Sequence, residues 1–159
     1  MVGGICCNHC NNYFNVYNLY TMREIKYIVI HCTATSRYTK VQSILNYWKD
    51  VLKWKNPGYH FLIDYKGVTH SLLSIDKIAN GVAGYNSNSI HISYIGGVDS
   101  KGKALDTRSE SQKVEMLRNI TRLKSMFPSA IIKGHRDFPN VKKECPSFDV
   151  ATWLKSVGI

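Results

Sequence analysis

Residues 26–31 read KYIVIH, a short β-branched run that is apolar on both of its alternating faces. A strand of this kind has no face to give to water, so it belongs inside a sheet that is covered on both sides. The covering elements are legible nearby. Residues 41–54 carry Val41, Ile44, Leu45, Trp48, Val51 and Leu52 at spacings of three and four, which predicts an amphipathic helix. Residues 109–127 predict a second, with Val114, Leu117, Ile120, Leu123 and Met126 along one face and Pro128 as its stop. Residues 148–157 predict a terminal helix that turns Val150, Trp153 and Leu154 inward.

Between these stretches lie further strand candidates. Asn56-Pro57-Gly58 breaks the first helix, and residues 59–65, YHFLIDY, form a strand that turns at Lys66-Gly67 into residues 68–72. Residues 74–78 suit a short helical turn, while 80–89 and 96–105 are polar, glycine-containing loops around a strand at 90–95. A last strand at 130–133 delivers Gly134 and His135. Strands alternating with helices predict an α/β fold: a single domain with a mixed central β-sheet flanked by helices.

The chain has 159 residues, with 44% hydrophobic and 20% charged, enough for one domain with a real core. No apolar run approaches the ~20 residues of a membrane-spanning helix. Lys and Arg number 21 against 11 Asp and Glu, a formal charge of +10 that suits polyanionic partners such as nucleic acid, acidic membrane surfaces or an acidic cell wall. The lysines are scattered, and scattered lysines equally serve solubility, so charge alone does not choose the partner. Residues 1–21 lack Lys, Arg and a sustained apolar stretch, unlike a secretory signal. They are expected to be an extension outside the core, with the functional domain at 22–159 and synthesis in the cytoplasm. Of five cysteines, Cys6, Cys7 and Cys10 crowd this extension, without the second pair of a zinc finger. An odd, irregular set argues against a disulfide scaffold and suits thiols that are free to hold metal.

Three residues invite chemistry. His31 ends the buried strand, His135 follows another, and Cys145 lies in the loop before the final helix. Strand ends at the edge of an α/β sheet are where sites are assembled. Two imidazoles and a thiolate with one open position would make a catalytic zinc set, in which zinc lowers the pKa of bound water toward ~7. Taken singly, a histidine at a strand end is more often a hydrogen-bonded structural residue, and a lone cysteine a small buried hydrophobe.

A set of ordered blocks adds to this reading. Residues 28–36 (IVIHCTATS), 58–63 (GYHFLI), 84–90 (GYNSNSI) with 95–97 (IGG), 134–139 (GHRDFP) and 145–149 (CPSFD) together resemble the zinc-dependent N-acetylmuramoyl-L-alanine amidases, the family of phage lysozyme amidases and peptidoglycan recognition proteins. The resemblance runs from Met22 to the end of the chain. It implies that His31, His135 and Cys145 hold Zn2+, and that Tyr59 and Lys143 act beside the metal, where they would stabilise charge on the oxygen of the scissile amide. It further implies a phage-like, endolysin-type hydrolase of the bond between N-acetylmuramic acid and L-alanine in peptidoglycan, acting at the bacterial cell wall, with a monomer expected.

The alternative is a peptidoglycan-binding module without catalysis, which relatives typically become by losing the thiolate ligand; Cys145 is present. No element of the sequence marks a nucleic-acid surface. Two positions depart from the family. Many relatives carry a histidine just ahead of the Gly-Tyr-Asn block, where this chain has Gly81, Val82 and Ala83, and a glycine after Ser-Ile, where this chain has His91. His91 is read as a strand residue or an extra ligand of the cleft, His60 as facing the core or the opposite layer, and His70 as exposed.

Overall fold

The computed structural model describes residues 23–159; the extension and its cysteine cluster lie outside them. Five strands form one mixed sheet: β1 (Tyr27–Cys32), β2 (Phe61–Ile63), β3 (Thr69–Ser71), β4 (Ser89–Tyr94) and β5 (Ile131–Gly134), in the order β3-β2-β4-β1-β5. β1 pairs parallel with both β4 and β5, β2 parallel with β4, and β3 antiparallel with β2. The doubly apolar run thus occupies the interior position that its composition demands. Asp64 shapes the β2–β3 turn by accepting the main-chain N–H groups of Lys66 and Val68, and Gly67 takes the left-handed conformation there, at φ 82°.

Each strand divides its residues between two layers. Ile28, Ile30 and Cys32 of β1 join Ile90, Ile92 and Tyr94 of β4 and Phe61 and Ile63 of β2 in the main core. That core is closed by α2 (Glu110–Met126) and α3 (Val150–Ser156). The opposite face carries Val29, His31, His91, Ser93 and Leu62. Around Leu62 it is covered by α1 (Val41–Asn46), which continues into a wider π-type turn, Tyr47–Val51, and around Val29 by Val82 and Phe138. The helix predicted over 41–54 is therefore shorter and changes pitch. Ile44 and Trp48 supply its buried contacts, whereas Val51 stands exposed.

The buried stripe of α2 also differs from the expected one. It runs through Gln112, Met116, Asn119, Ile120 and Leu123, and Val114 is 59% exposed. Two polar residues take buried positions because each is hydrogen-bonded. Gln112 completes a capping box with Ser109 and donates through Nε2 to the carbonyls of Ile63 (3.2 Å) and Ile95 (3.1 Å). Asn119 donates to Thr69 Oγ1 at 2.9 Å. His70, read as exposed, is instead half-buried against Asp64, with Nε2 2.9 Å from the carboxylate.

Gln112 ties the start of α2 to the carbonyls of the last residue of β2 and of the residue after β4, so its loss should exceed that of the cap alone. Gln112→Leu is expected to destabilise the fold by about 3 kcal/mol, because buried polar partners are left unmatched. Ser109→Ala should cost about 1 kcal/mol. Urea unfolding of both variants measures the difference, and equal losses would contradict this account of Gln112.

Candidate metal centre

The site lies at the carboxyl ends of β1 and β5. β1 ends in His31 and Cys32, and β5 runs through Gly134 into a single 3-10 turn, His135–Asp137. Asp137 stabilises that exit by accepting the Gly134 N–H at 2.7 Å. The next residue, Arg136, donates its main-chain N–H to the carbonyl of Cys145 at 2.8 Å, binding the His135 turn to the Cys145 loop. Tyr94 Oη holds the same loop by donating to the Pro146 carbonyl at 2.8 Å, and Ser147 Oγ donates to Gly97 O at 2.7 Å. Segments distant in sequence are thereby fixed together by hydrogen bonds to main-chain groups.

His31, His135 and Cys145 converge: one donor atom from each lies within 4.8 Å of the other two. His31 Nδ1 is 3.8 Å from Cys145 Sγ, and the imidazoles of His31 and His135 are 4.8 Å apart between centroids. Tetrahedral zinc with bonds of ~2.0 Å to nitrogen and ~2.3 Å to sulfur spaces its donors ~3.3–3.6 Å apart. The trio fits such an ion with small adjustments. The donor chemistry agrees, since two neutral imidazoles and one thiolate set a single negative charge against a divalent cation.

Burial keeps the imidazoles neutral. It holds His31 far below the usual histidine range, assisted by His91, His135 and Lys143, and it lowers His135 to about 4, with Lys143 adding to the effect. The thiols of Cys32 and Cys145 share a hydrogen bond, so ionisation of one holds the proton on the other. Without a cation, Cys32 falls to about 7 and Cys145 rises. Cys145 Sγ also accepts the main-chain N–H of Cys32 at 3.3 Å and feels the charge of Lys143, both of which favour a thiolate there.

Tyr59 packs its ring 5.0 Å from His31 and edge-on to Trp48 at 5.2 Å, and its hydroxyl donates to Cys32 O at 3.2 Å. Burial, then the thiols of Cys145 and Cys32, raise its pKa, so it is a proton donor rather than a base. Gly58 is needed for this packing, because a Cβ there would meet the Trp48 ring at 3.0 Å. A cleft of about 390 Å3 opens beside Tyr59, lined among others by Thr33, Thr35, Tyr47 and Trp48. Lys143 is exposed on the Cys145 loop, near enough for its charge to act on all three members of the trio.

Sequence reasoning left His91 and His60 without an assigned function. Both are fully buried. His91 Nδ1 lies 3.0 Å from His31 Nε2, while its own main-chain N–H donates to His60 Nδ1 at 3.0 Å. His60 Nε2 is 3.0 Å from the Lys77 carbonyl, and burial lowers His60 to about 4. The local signal was the shared parity of His60, His91 and His31 along paired strands, which becomes readable only once the strand order is known.

Comparison with known proteins agrees with this geometry. Residues 21–148 match the family described as N-acetylmuramoyl-L-alanine amidase. The endolysin of Enterobacteria phage K11 is 30% identical over 135 residues, covering 84% of this chain and 88% of that protein. The endolysin of Escherichia phage T7 is 32% identical over 129 residues, covering 79% and 83%. Among solved structures, the endolysin of the Thermus scotoductus bacteriophage Ph2119 superposes with a TM-score of 0.71 at 24% identity, over 85% of each chain. A family match over residues 21–148, with endolysins 30% and 32% identical over most of their length, makes this chain a member of the N-acetylmuramoyl-L-alanine amidase family.

Proposed function

We propose that this protein is a zinc hydrolase that cleaves the amide between the lactyl group of N-acetylmuramic acid and L-alanine in peptidoglycan, in the manner of an endolysin. The observation that carries the reading is the convergence of His31, His135 and Cys145 beside the cleft at Tyr59. Relatives named endolysins support it, as does a formal charge of +10, which suits an anionic wall. The proposed place of action is the bacterial cell wall. No helix among the described residues is long and apolar enough to cross a membrane.

His31, His135 and Cys145 would hold the ion. When bound, zinc supplies Lewis acidity, activating water and polarising the scissile carbonyl. The remaining work falls to the protein. The walls of the cleft at Trp48 and Tyr47 would receive the substrate and limit water at the reacting bond. Tyr59 keeps its proton and, by shifting its bond from Cys32 O, would donate to the carbonyl oxygen as negative charge develops there. Lys143, on a loop that can approach substrate, would add positive charge at the same place. Neutral His31 and His135 present lone pairs, and Cys145 presents a thiolate, so the trio itself is not a proton store.

Purified peptidoglycan digested with the zinc-loaded protein should yield free peptides with an L-alanine amino terminus, detected by mass spectrometry. Intact sacculi in the presence of folded, metal-loaded protein would overturn the reading. Chelation should abolish release and added zinc restore it, while Cys145→Ser should lower both zinc content and turnover, the latter by about 1000-fold or more. Tyr59→Phe should retain zinc yet lose about 100-fold in turnover, in line with removal of one oxyanion donor. Lys143→Met should likewise keep the metal and lose about 10-fold in turnover.

A further inference from the structure

We infer that His91 is a positioning residue of the metal centre: its Nδ1 accepts the proton of His31 Nε2 and so holds His31 in the tautomer whose Nδ1 faces Cys145. The inference rests on the reading of His31 as a zinc ligand.

The geometry leaves one consistent arrangement of protons. His31 Nδ1 points toward Cys145 Sγ at 3.8 Å, and Nε2 points away from the trio, toward His91 Nδ1 at 3.0 Å. A neutral imidazole carries one proton, and the nitrogen that binds a metal must be bare. His31 therefore carries its proton on Nε2, and His91 must accept it at Nδ1, which places the proton of His91 on Nε2. Both rings are buried. The opposite arrangement, with the proton on His91 Nδ1, would put the His31 proton on Nδ1 and block the ligand position.

His91 has no other side-chain hydrogen bond among the described residues. Its Nε2 is buried without a partner. The ring is instead placed by packing and by the main chain. β4 pairs with β1 so that Val29 lies opposite His91 and His31 opposite Ser93, which brings the two rings to the same face, one step apart. The main-chain N–H of His91 donates to His60 Nδ1, and the two rings stack at 5.7 Å with 15° between planes. His60 is oriented in turn by donation from Nε2 to Lys77 O at 3.0 Å. On the remaining side the ring lies over Gly81, where a Cβ would sit 2.3 Å from His91 Nδ1. Gly81 and His91 thus meet in space, and the glycine is what admits the ring.

A ring held in this way with a single bond of its own serves the group at the far end of that bond. Partners that orient a metal-bound histidine typically affect metal affinity about 10- to 100-fold. Asn can reproduce the acceptor, because its Oδ1 reaches the place of the imidazole Nδ1. Phe retains the ring's bulk without the acceptor.

The experiment uses the full chain and two readouts. Zinc affinity is measured by competition with a chromophoric chelator, and the His31 tautomer by nitrogen-15 NMR of histidine-labelled, metal-free protein. Wild type should show His31 protonated at Nε2. His91→Phe should weaken zinc binding about 10- to 100-fold and allow the other tautomer, whereas His91→Asn should stay within about 3-fold of wild type. Gly81→Ala reaches the same bond by crowding the ring, and should weaken zinc binding if the His91→Phe variant does not fold. A folded His91→Phe or, in its place, Gly81→Ala variant with unchanged affinity and tautomer would overturn the inference and leave the proposed function standing. A wild-type protein that binds no zinc yet depends on His91 for the His31 tautomer would support the positioning and sink the proposed function instead.

Discussion

The site depends on the two-sided hydrogen bonding of β1. Because β4 and β5 both pair with it in parallel, β1 cannot slide without breaking two ladders, and its register fixes which side chains face which layer. Ile28, Ile30 and Cys32 enter the helix-covered core, while Val29 and His31 face the other layer. A slip of one residue would put His31 into the apolar core and an isoleucine in its place beside His135 and Cys145. The hydrophobic demand of one face thereby holds His31 in place on the other. Stability and function meet in a single strand.

The same arrangement governs the electrostatics. His31, His60 and His91 gather on one buried face, and that face would not tolerate them charged. Desolvation keeps each ring neutral, so the hydrogen bonds among them depend on where single protons reside rather than on charge. Charge enters from the side, through the Cys145 loop with its exposed Lys143 and through the thiol pair. A site that leaves neutral imidazoles inside and exposed charge at the mouth suits a cation resident within and a substrate arriving from outside. The tie from Arg136 N–H to Cys145 O makes His135 and Cys145 one unit, docked against the end of β1.

Much of this was legible in the chain. KYIVIH announced an interior strand and delivered a histidine at its end, and GHRDFP and CPSFD marked loops that could return to it. The α/β architecture with a mixed sheet followed from alternating elements, as the structure bears out. What escaped was long-range. Periodicity assigned Val114 to the core of α2, but the stripe is rotated because Gln112 and Asn119 find buried partners on β2, β3 and the turn after β4. Apolar spacing cannot register a polar residue that is buried for its hydrogen bonds. The helix at 41–54 was drawn too long because Val51 and Leu52 fit the pattern, whereas Trp48 alone anchors that end against Trp54 and Tyr59.

His91 and Gly81 show the same limit most clearly. Ten residues separate them, and along the chain each is a solitary oddity: a histidine in a strand and a glycine in a loop already rich in glycine. In three dimensions they are one feature, since the ring fills the volume that a side chain on residue 81 would take. His91 stands on a strand that is hydrogen-bonded on both sides, by β1 and β2. A strand interior restrains a ring more tightly than a loop does, because pleat and register set its direction. The cost is a buried Nε2 with no hydrogen-bond partner, on the order of 1–3 kcal/mol. That such a cost falls on the ring hydrogen-bonded to His31 is what the packing would produce if orientation, rather than stability, were the constraint.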